Sequence, residues 1–351
     1  MKTFCILSAL TLLGTCASTR YTTKINNLKN SIVIVDSSLV VNYYKTITAT
    51  ELETQLYQFA SDKFEGRETG TKGQKLASNF LKKFYLQEKI PSPFGTDNYY
   101  QDIPKSFLPK PYNASENVLA YIKGTEIPNE LVIISAHLDH LGIEENGSIN
   151  LGADDDGSGT VAIMQIAQAF NKAKKEGYGP KRSILFLHLT AEEIGKLGSS
   201  FYTKNPVFPL KNTVVNLNID MIGRVDTMHK ENPNYLYIIG ADRLSKELHY
   251  LSEKVNHSFF NINLDYTYNN EDDVNDFYSR SDHYNFARHN IPVIFYFNGI
   301  HDDYHKTSDT PDKIDYPLLE KRSRLIFSTA WQIANQKNRL ALDLDNKFLK
   351  N

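Results

Sequence analysis

His137 and Asp139 close an apolar, β-branched run, Leu131-Val132-Ile133-Ile134, and a loop with three consecutive aspartates follows at Gly152-Ala153-Asp154-Asp155-Asp156-Gly157-Ser158-Gly159. A neutral imidazole is a good zinc ligand, and a carboxylate beside it commonly fixes its tautomer. Residues two apart on a strand share a face, so His137 and Asp139 are expected on one side. Three adjacent carboxylates repel one another unless water or a cation screens them, and one aspartate has two oxygens with which to bridge two ions. Taken alone, the pair reads equally as a surface His-Asp couple, and the loop as a solvated helix cap or a calcium loop.

Three later segments add groups of the same kind. Thr190-Ala191-Glu192-Glu193 ends another apolar run, and adjacent glutamates there point in different directions. One can hold metal while the other works on water as a general base, as metal-assisted hydrolysis requires. Glu-Glu pairs also favour the dipole at exposed first turns of helices. Asp220 ends the run Val214 to Ile219, where an unpaired buried charge is costly. His301 and His305, in His301-Asp302-Asp303-Tyr304-His305, offer two candidates for a last ligand, and chemistry alone does not choose between them.

The elements that must position these groups are legible in outline. Apolar strands are expected at Val118–Ile122, Leu131–Ile134, Ser183–Leu189, Val214–Ile219, Tyr235–Ile239 and Pro292–Phe297, with the first two as candidate neighbours. Helices are expected from Thr48 through Leu52, Leu56, Phe59 and Ala60, through Ala77 to Phe84, over Thr160–Lys175, Arg243–Val255 and Tyr316–Ala334. The proline-containing stretch from Pro91 to Pro111 reads as an extended connection, and Ile32-Val33-Ile34-Val35 as an edge strand or packed arm. Continuous apolar strands alternating with helices argue for an α/β fold: a three-layer αβα sandwich around a mostly parallel, twisted mixed sheet. In such folds the site lies at the carboxyl ends of the strands. Each candidate ligand falls where one of these strands stops.

In their order, these segments resemble the M28 family of zinc peptidases. The pattern is His-x-Asp, Gly-Ala-x-Asp-x-x-Ser-Gly, Glu-Glu, a strand-end Asp, then Tyr-His ahead of Asp309-Thr310, spread over about residues 60 to 335. The resemblance implies two zinc ions per chain, one held by His137 and Asp220, the other by Glu193 and His305, with Asp155 bridging. It implies Glu192 as general base and Asp139 as the partner of His137. Asp155 is the aspartate in the fourth position of its element, and His305 occupies the Tyr-His position, so Asp154, Asp156 and His301 are left without a part in the chemistry. Glu65-Gly66-Arg67, Thr69-Gly70-Thr71 and Ser281-Asp282-His283 also resemble family segments and are expected to be structural or pocket-forming. The implied reaction is removal of the N-terminal residue from peptide substrates. Glutaminyl cyclases and carboxypeptidases or dipeptidases of the same fold are the alternatives, the latter favoured by a basic residue, such as Arg224 or Arg280, poised to clamp a substrate carboxylate. A non-enzymatic surface binding module would show lost ligands, and here none is missing.

Composition bounds the rest. Lys+Arg 39 against Asp+Glu 41 leaves a formal charge of -2, without the basic run expected of a nucleic-acid binder. The chain is 41% hydrophobic and 12% aromatic, enough for a sizeable core. Lys2, the apolar run Phe4–Leu13 and small residues after it have the layout of a secretory signal, so the expected destination is the periplasm, cell envelope or exterior. Both cysteines, Cys5 and Cys16, lie in that segment, which excludes a cysteine nucleophile or disulfide framework in the mature chain. Leu13-Gly14-Thr15-Cys16 resembles a lipoprotein box, in which Cys16 would carry a lipid anchor, with ordinary cleavage near Ser18 as the alternative. The expected organisation is a signal over residues 1–18, a lead-in over 19–48 and a single peptidase domain over 49–340 without an inserted domain.

Overall fold

The computed structural model describes residues 22–95, 97–343 and 345. The signal segment and Cys16 lie outside the described residues. Among the described residues eight strands form one sheet: β1 (Tyr100–Ile103), β2 (Ser115–Ile122), β3 (Ile127–His137), β4 (Arg182–Leu189), β5 (Thr213–Ile219), β6 (Tyr235–Ile239), β7 (Asn263–Asp265) and β8 (Val293–Phe297), in the order β1-β2-β4-β3-β5-β8-β6-β7. The four central strands, β4, β3, β5 and β8, are mutually parallel, so their carboxyl ends emerge along one edge. The pairs β1/β2, β2/β4 and β6/β8 are antiparallel.

These strands are apolar at nearly every position because both faces are covered. Along β3, Val132 and Ile134 enter one core with α1 (Ser37–Tyr44), α2 (Ala49–Phe59), α3 (Lys72–Glu88), α4 (Gly159–Lys175), α6 (Lys246–Phe259) and α8 (Tyr316–Asn335). Leu131 and Ile133 enter the other with Tyr202 of α5 (Leu197–Lys204) and Phe286 of α7 (His283–Ala287). The period-two alternation of one strand thus feeds two cores, which makes the expected three-layer sandwich. Helix α2 begins where the sequence places it: the Thr48 hydroxyl accepts from Glu51 N, and Leu52, Leu56 and Phe59 are buried.

Several details differ from the expectation. β2 and β3 are not neighbours, because β4 lies between them, antiparallel to one and parallel to the other. β4 is buried at all its positions, which suits a strand with partners on both sides, and periodicity alone does not say who those partners are. Residues 32–35 form no strand; this arm is pinned to α8 by Gln332, whose Oε1 accepts from Val35 N (2.9 Å) and whose Nε2 donates to Val33 O (3.0 Å). The connection from Pro91 to Pro111 contains the edge strand β1, paired to β2 from Tyr100↔Val118 to Ile103↔Ser115. α6 starts at Lys246 rather than Arg243, because Ser245 caps it by accepting from Leu248 N.

Candidate active site

His137 is the last residue of β3, Glu192 and Glu193 follow β4, Asp220 follows β5 and His305 lies in the loop after β8. Asp155 sits in the turn ahead of α4. Four adjacent parallel strands therefore deliver every sequence-predicted ligand to one edge of the sheet. At that edge Asp155 stands between two groups. Its Oδ1 is 3.1 Å from His137 Nε2, which is 3.6 Å from Asp220 Oδ1. Its Oδ2 is 3.1 Å from His305 Nε2, which is 3.3 Å from Glu193 Oε2. Zinc bonds of ~2.0–2.2 Å in tetrahedral geometry would set donor atoms roughly 3.3 Å apart. Asp155 Oδ2 is buried and has no hydrogen-bond partner despite the nearby imidazole, which leaves its lone pairs available to an ion. The donor set of imidazole and carboxylate suits zinc, so the residues present fit two ions that share Asp155.

His140 is a member of this cluster that the sequence reading missed. Its Nδ1 donates to Glu193 Oε1 (2.8 Å) and lies 3.8 Å from Asp155 Oδ2. His140, Asp155 and Glu193 bring donor atoms within 4.8 Å of one another, as His137, Asp155 and Asp220 do. The signal was in plain sight, since His140 directly follows Asp139, yet only the turn after β3 aims it at Glu193. His301 is not in the cluster: its Nε2 contacts Asp154 Oδ2 at 3.1 Å.

The acidic loop is held open by its surroundings. Arg67 is buried and donates to Leu138 O (2.9 Å), Leu151 O (2.6 Å) and Gly152 O (2.9 Å), lacing the end of β3 to the aspartate turn. Burial pulls its guanidinium down to about 10, still cationic at neutral pH. Gly66, at φ 67°, lets this segment approach: a Cβ there would lie 2.5 Å from Gly142 O and 2.6 Å from Asn150 O. Asp309 accepts from the amides of Asp154 (2.9 Å) and Asp155 (3.1 Å). Asp154 and Asp156 are structural: Asp154 Oδ1 accepts from Gly223 N (2.7 Å), while Asp156 Oδ1 accepts from Gly159 N (2.9 Å) and Met221 N (3.1 Å). They tie the turn to the loop that carries Asp220. Ser281 donates to Asp220 Oδ2 (2.6 Å) and so orients its Oδ1 toward His137.

Asp139 meets His137 differently from expectation. His137 Nδ1 is 3.1 Å from the Asp139 backbone carbonyl, whereas the carboxylate Oδ1 is 3.8 Å away. The carboxylate accepts from Thr69 Oγ1 (2.8 Å) and from Glu192 N (3.2 Å), which places Asp139 as a support for Glu192 as well as for the imidazole. Burial raises the Asp139 carboxyl to about 6 and holds Glu192 well above the usual carboxylate range, with Asp282, Asp220 and Glu193 adding to the rise for Glu192. A raised glutamate beside a site for cations is what a general base needs. Ala191, Met221 and His305 adopt left-handed φ of 57°, 61° and 57°, strain that clusters at functional sites.

The cluster floors a cavity walled by Met221, Phe277, Phe295, Phe297 and Ile300, with Arg280 also among its lining residues. Among the described tyrosines, Tyr304 is the one lining it, stacked on His305 with ring centroids 3.8 Å apart. Burial, then the nearby carboxylates Asp155, Asp220 and Glu193, hold its hydroxyl above its ordinary value, so it stays a donor.

The model of peptidase family M28 matches residues 117–330, which span the strands and ligands just described. The chain belongs to peptidase family M28. Among its M28 relatives, leucine aminopeptidase 2 of Trichophyton equinum is 31% identical over 186 residues, 52% of this chain and 33% of the relative. A probable glutamate carboxypeptidase of Arabidopsis thaliana is 36% identical over 106 residues, 30% of this chain and 14% of the relative. The matched segments thus span a third or less of those proteins' own length. The LapA aminopeptidase of Legionella pneumophila shares the fold, with a TM-score of 0.68 at 21% identity over 88% of this chain and 77% of that one. The mixed αβα sandwich is therefore the M28 fold.

Proposed function

We propose that this M28 chain is an exported aminopeptidase that uses two zinc ions to hydrolyse the N-terminal bond of peptides. The observation that carries the reading is Asp155, which turns one carboxylate oxygen toward His137 and the other toward His305. His137 and Asp220 would hold one ion, Glu193 and His305 the other, with Asp155 shared and His140 steadying Glu193. When bound, such ions polarise the scissile carbonyl and lower the pKa of water.

The chain's own groups supply the rest. Glu192 takes a proton from water and returns it to the leaving amine. Asp139 holds the Glu192 backbone through its amide. Tyr304, kept protonated, can donate to the oxygen on which charge develops. The aromatic wall formed by Phe277, Phe295 and Phe297 offers an apolar side chain a surface to pack against. Support for peptide chemistry comes from the family and from the relatives named for aminopeptidase and carboxypeptidase activity.

Metal analysis combined with an aminoacyl p-nitroanilide assay tests the proposal. Two transition ions per chain and activity that disappears with chelator and returns with zinc are expected. A calcium-only protein, or activity indifferent to chelation, would contradict it.

A further inference from the structure

We propose that Arg280 is a specificity-determining residue that anchors a carboxylate of the substrate, so that this site favours peptides carrying a carboxylate close to the scissile bond. The proposal rests on the exopeptidase reading and adds a substrate class to it.

Three arginines lie near the site, and their surroundings separate them: Arg67 is buried and spent on the carbonyls of Leu138, Leu151 and Gly152. Arg224 is committed to the fold: its Nη2 is 2.8 Å from Asp303 Oδ2 and its Nη1 is 3.8 Å from Asp309 Oδ1. Arg280 is exposed, lines the same cavity as the ligands and makes no ion pair among the described residues. Among the described residues it is the one lysine or arginine in that lining.

Its position is fixed at both ends. The next residue, Ser281, donates to Asp220 Oδ2 at 2.6 Å, which ties the Arg280 backbone to a metal ligand. Its amide donates to Phe277 O (3.1 Å), and its guanidinium rests over the Phe277 ring at 4.9 Å. A planar guanidinium already stacked on an aromatic face loses little freedom when a carboxylate binds it in the bidentate manner.

Charge argues the same way. Two divalent ions would cancel the four carboxylates of the cavity, Asp155, Glu192, Glu193 and Asp220, and Arg280 would remain as its unbalanced charge. A cavity with an apolar wall, a neutralised floor and one unpaired cation at its side selects an amphipathic anion. Within a peptide that anion is the C-terminal carboxylate of a dipeptide or an acidic side chain next to the bond.

The test compares kcat/KM for Leu-Ala, its C-terminal amide, and the amides of Leu-Asp and Asp-Ala, using the zinc-loaded wild type, Arg280→Met and Arg280→Lys. For the wild type, at least one carboxylate-bearing peptide is expected to exceed the neutral Leu-Ala amide roughly tenfold or more, chiefly through KM. Which peptide gains identifies the source of the carboxylate. Arg280→Met should bring that ratio close to one and Arg280→Lys should keep part of it. Because each ratio is internal to one protein, a change in folded fraction does not alter it. Cleavage by the wild type without carboxylate preference, or a preference retained in Arg280→Met, overturns the proposal alone. A zinc-loaded wild type that cleaves none of the four peptides overturns the exopeptidase reading and the proposal with it.

Discussion

His140 holds Glu193 by the oxygen that does not face His305: its Nδ1 is 2.8 Å from Oε1, while His305 Nε2 is 3.3 Å from Oε2. One carboxylate is thus oriented by a buried imidazole and offered to an ion by its other oxygen. Groups that orient a metal ligand commonly cost 10–100-fold in metal affinity when removed. His140→Asn is expected to weaken one of the two ions by about that factor and leave the other unchanged. Competition with a zinc chelator reads this directly, and equal affinity for both ions in the variant would contradict the role.

Asp155 serves both positions, so its loss should be felt at both. Asp155→Asn replaces one anionic oxygen by an amide nitrogen that cannot coordinate as the carboxylate does. The expected stoichiometry falls from two ions toward none under conditions where His140→Asn still holds one. Metal analysis after dialysis distinguishes the two variants, and retention of two ions by Asp155→Asn would remove the bridge.

Glu192 has a different signature. It lines the cavity but is absent from both ligand groups. Glu192→Gln should therefore keep both ions while kcat falls by roughly 10²–10⁴, the range typical of a lost general base. Metal content and turnover of an aminoacyl p-nitroanilide are measured on the same sample. An unimpaired rate in a fully loaded variant would reassign the base.

The metal-free protein should lose, as pH rises, the stability that its raised carboxyls contribute. Burial raises the carboxyls of Asp139 to about 6 and of Asp282 to about 7, against 3.8 for the free side chain. The folded chain keeps protons at these two groups that the unfolded chain releases, so their contribution to stability declines from about pH 4 through about pH 7, whereas His188 and His283, which burial lowers to about 3, favour the fold as pH rises toward 6.5. Burial also works against the charged form of His305, but Asp155 and Glu193 outweigh it and raise the group from 6.5 to about 10, which extends the loss to higher pH. Metal binding needs deprotonated ligands, so zinc should raise the melting temperature more at pH 8 than at pH 5. Thermal melts of metal-free and zinc-loaded protein across this range provide the check.

Arg67 gives a purely structural expectation. Arg67→Met would leave the carbonyls of Leu138, Leu151 and Gly152 without their buried donor. At roughly 1–3 kcal/mol for a buried unsatisfied group, a loss of about 3 kcal/mol or more in unfolding free energy is expected. Chemical denaturation of the metal-free variant measures it, and a loss under ~1 kcal/mol would show that the loop has other support.

That the candidate ligands would gather was legible because His137, Glu193, Asp220 and His305 follow apolar strands, and parallel strands align their carboxyl ends without help from any particular contact. The sandwich was legible for the same reason. What escaped depended on neighbours in space. No periodicity places β4 between β2 and β3, and no motif distinguishes His140, whose part is created by a turn. Asp154 and Asp156 looked dispensable beside Asp155, yet their oxygens tie Gly223, Gly159 and Met221 around the site. Arg224 and Arg280 were equivalent as letters, and only Asp303 and Asp309 separate them.

Removal of N-terminal residues is tested most directly by hydrolysis of one peptide series with free and with N-acetylated amino termini. The zinc-loaded protein should cleave the free peptides one residue at a time from the amino end and leave the acetylated ones intact. Equal cleavage of the acetylated peptides, or release of residues from the carboxyl end, would contradict the aminopeptidase assignment.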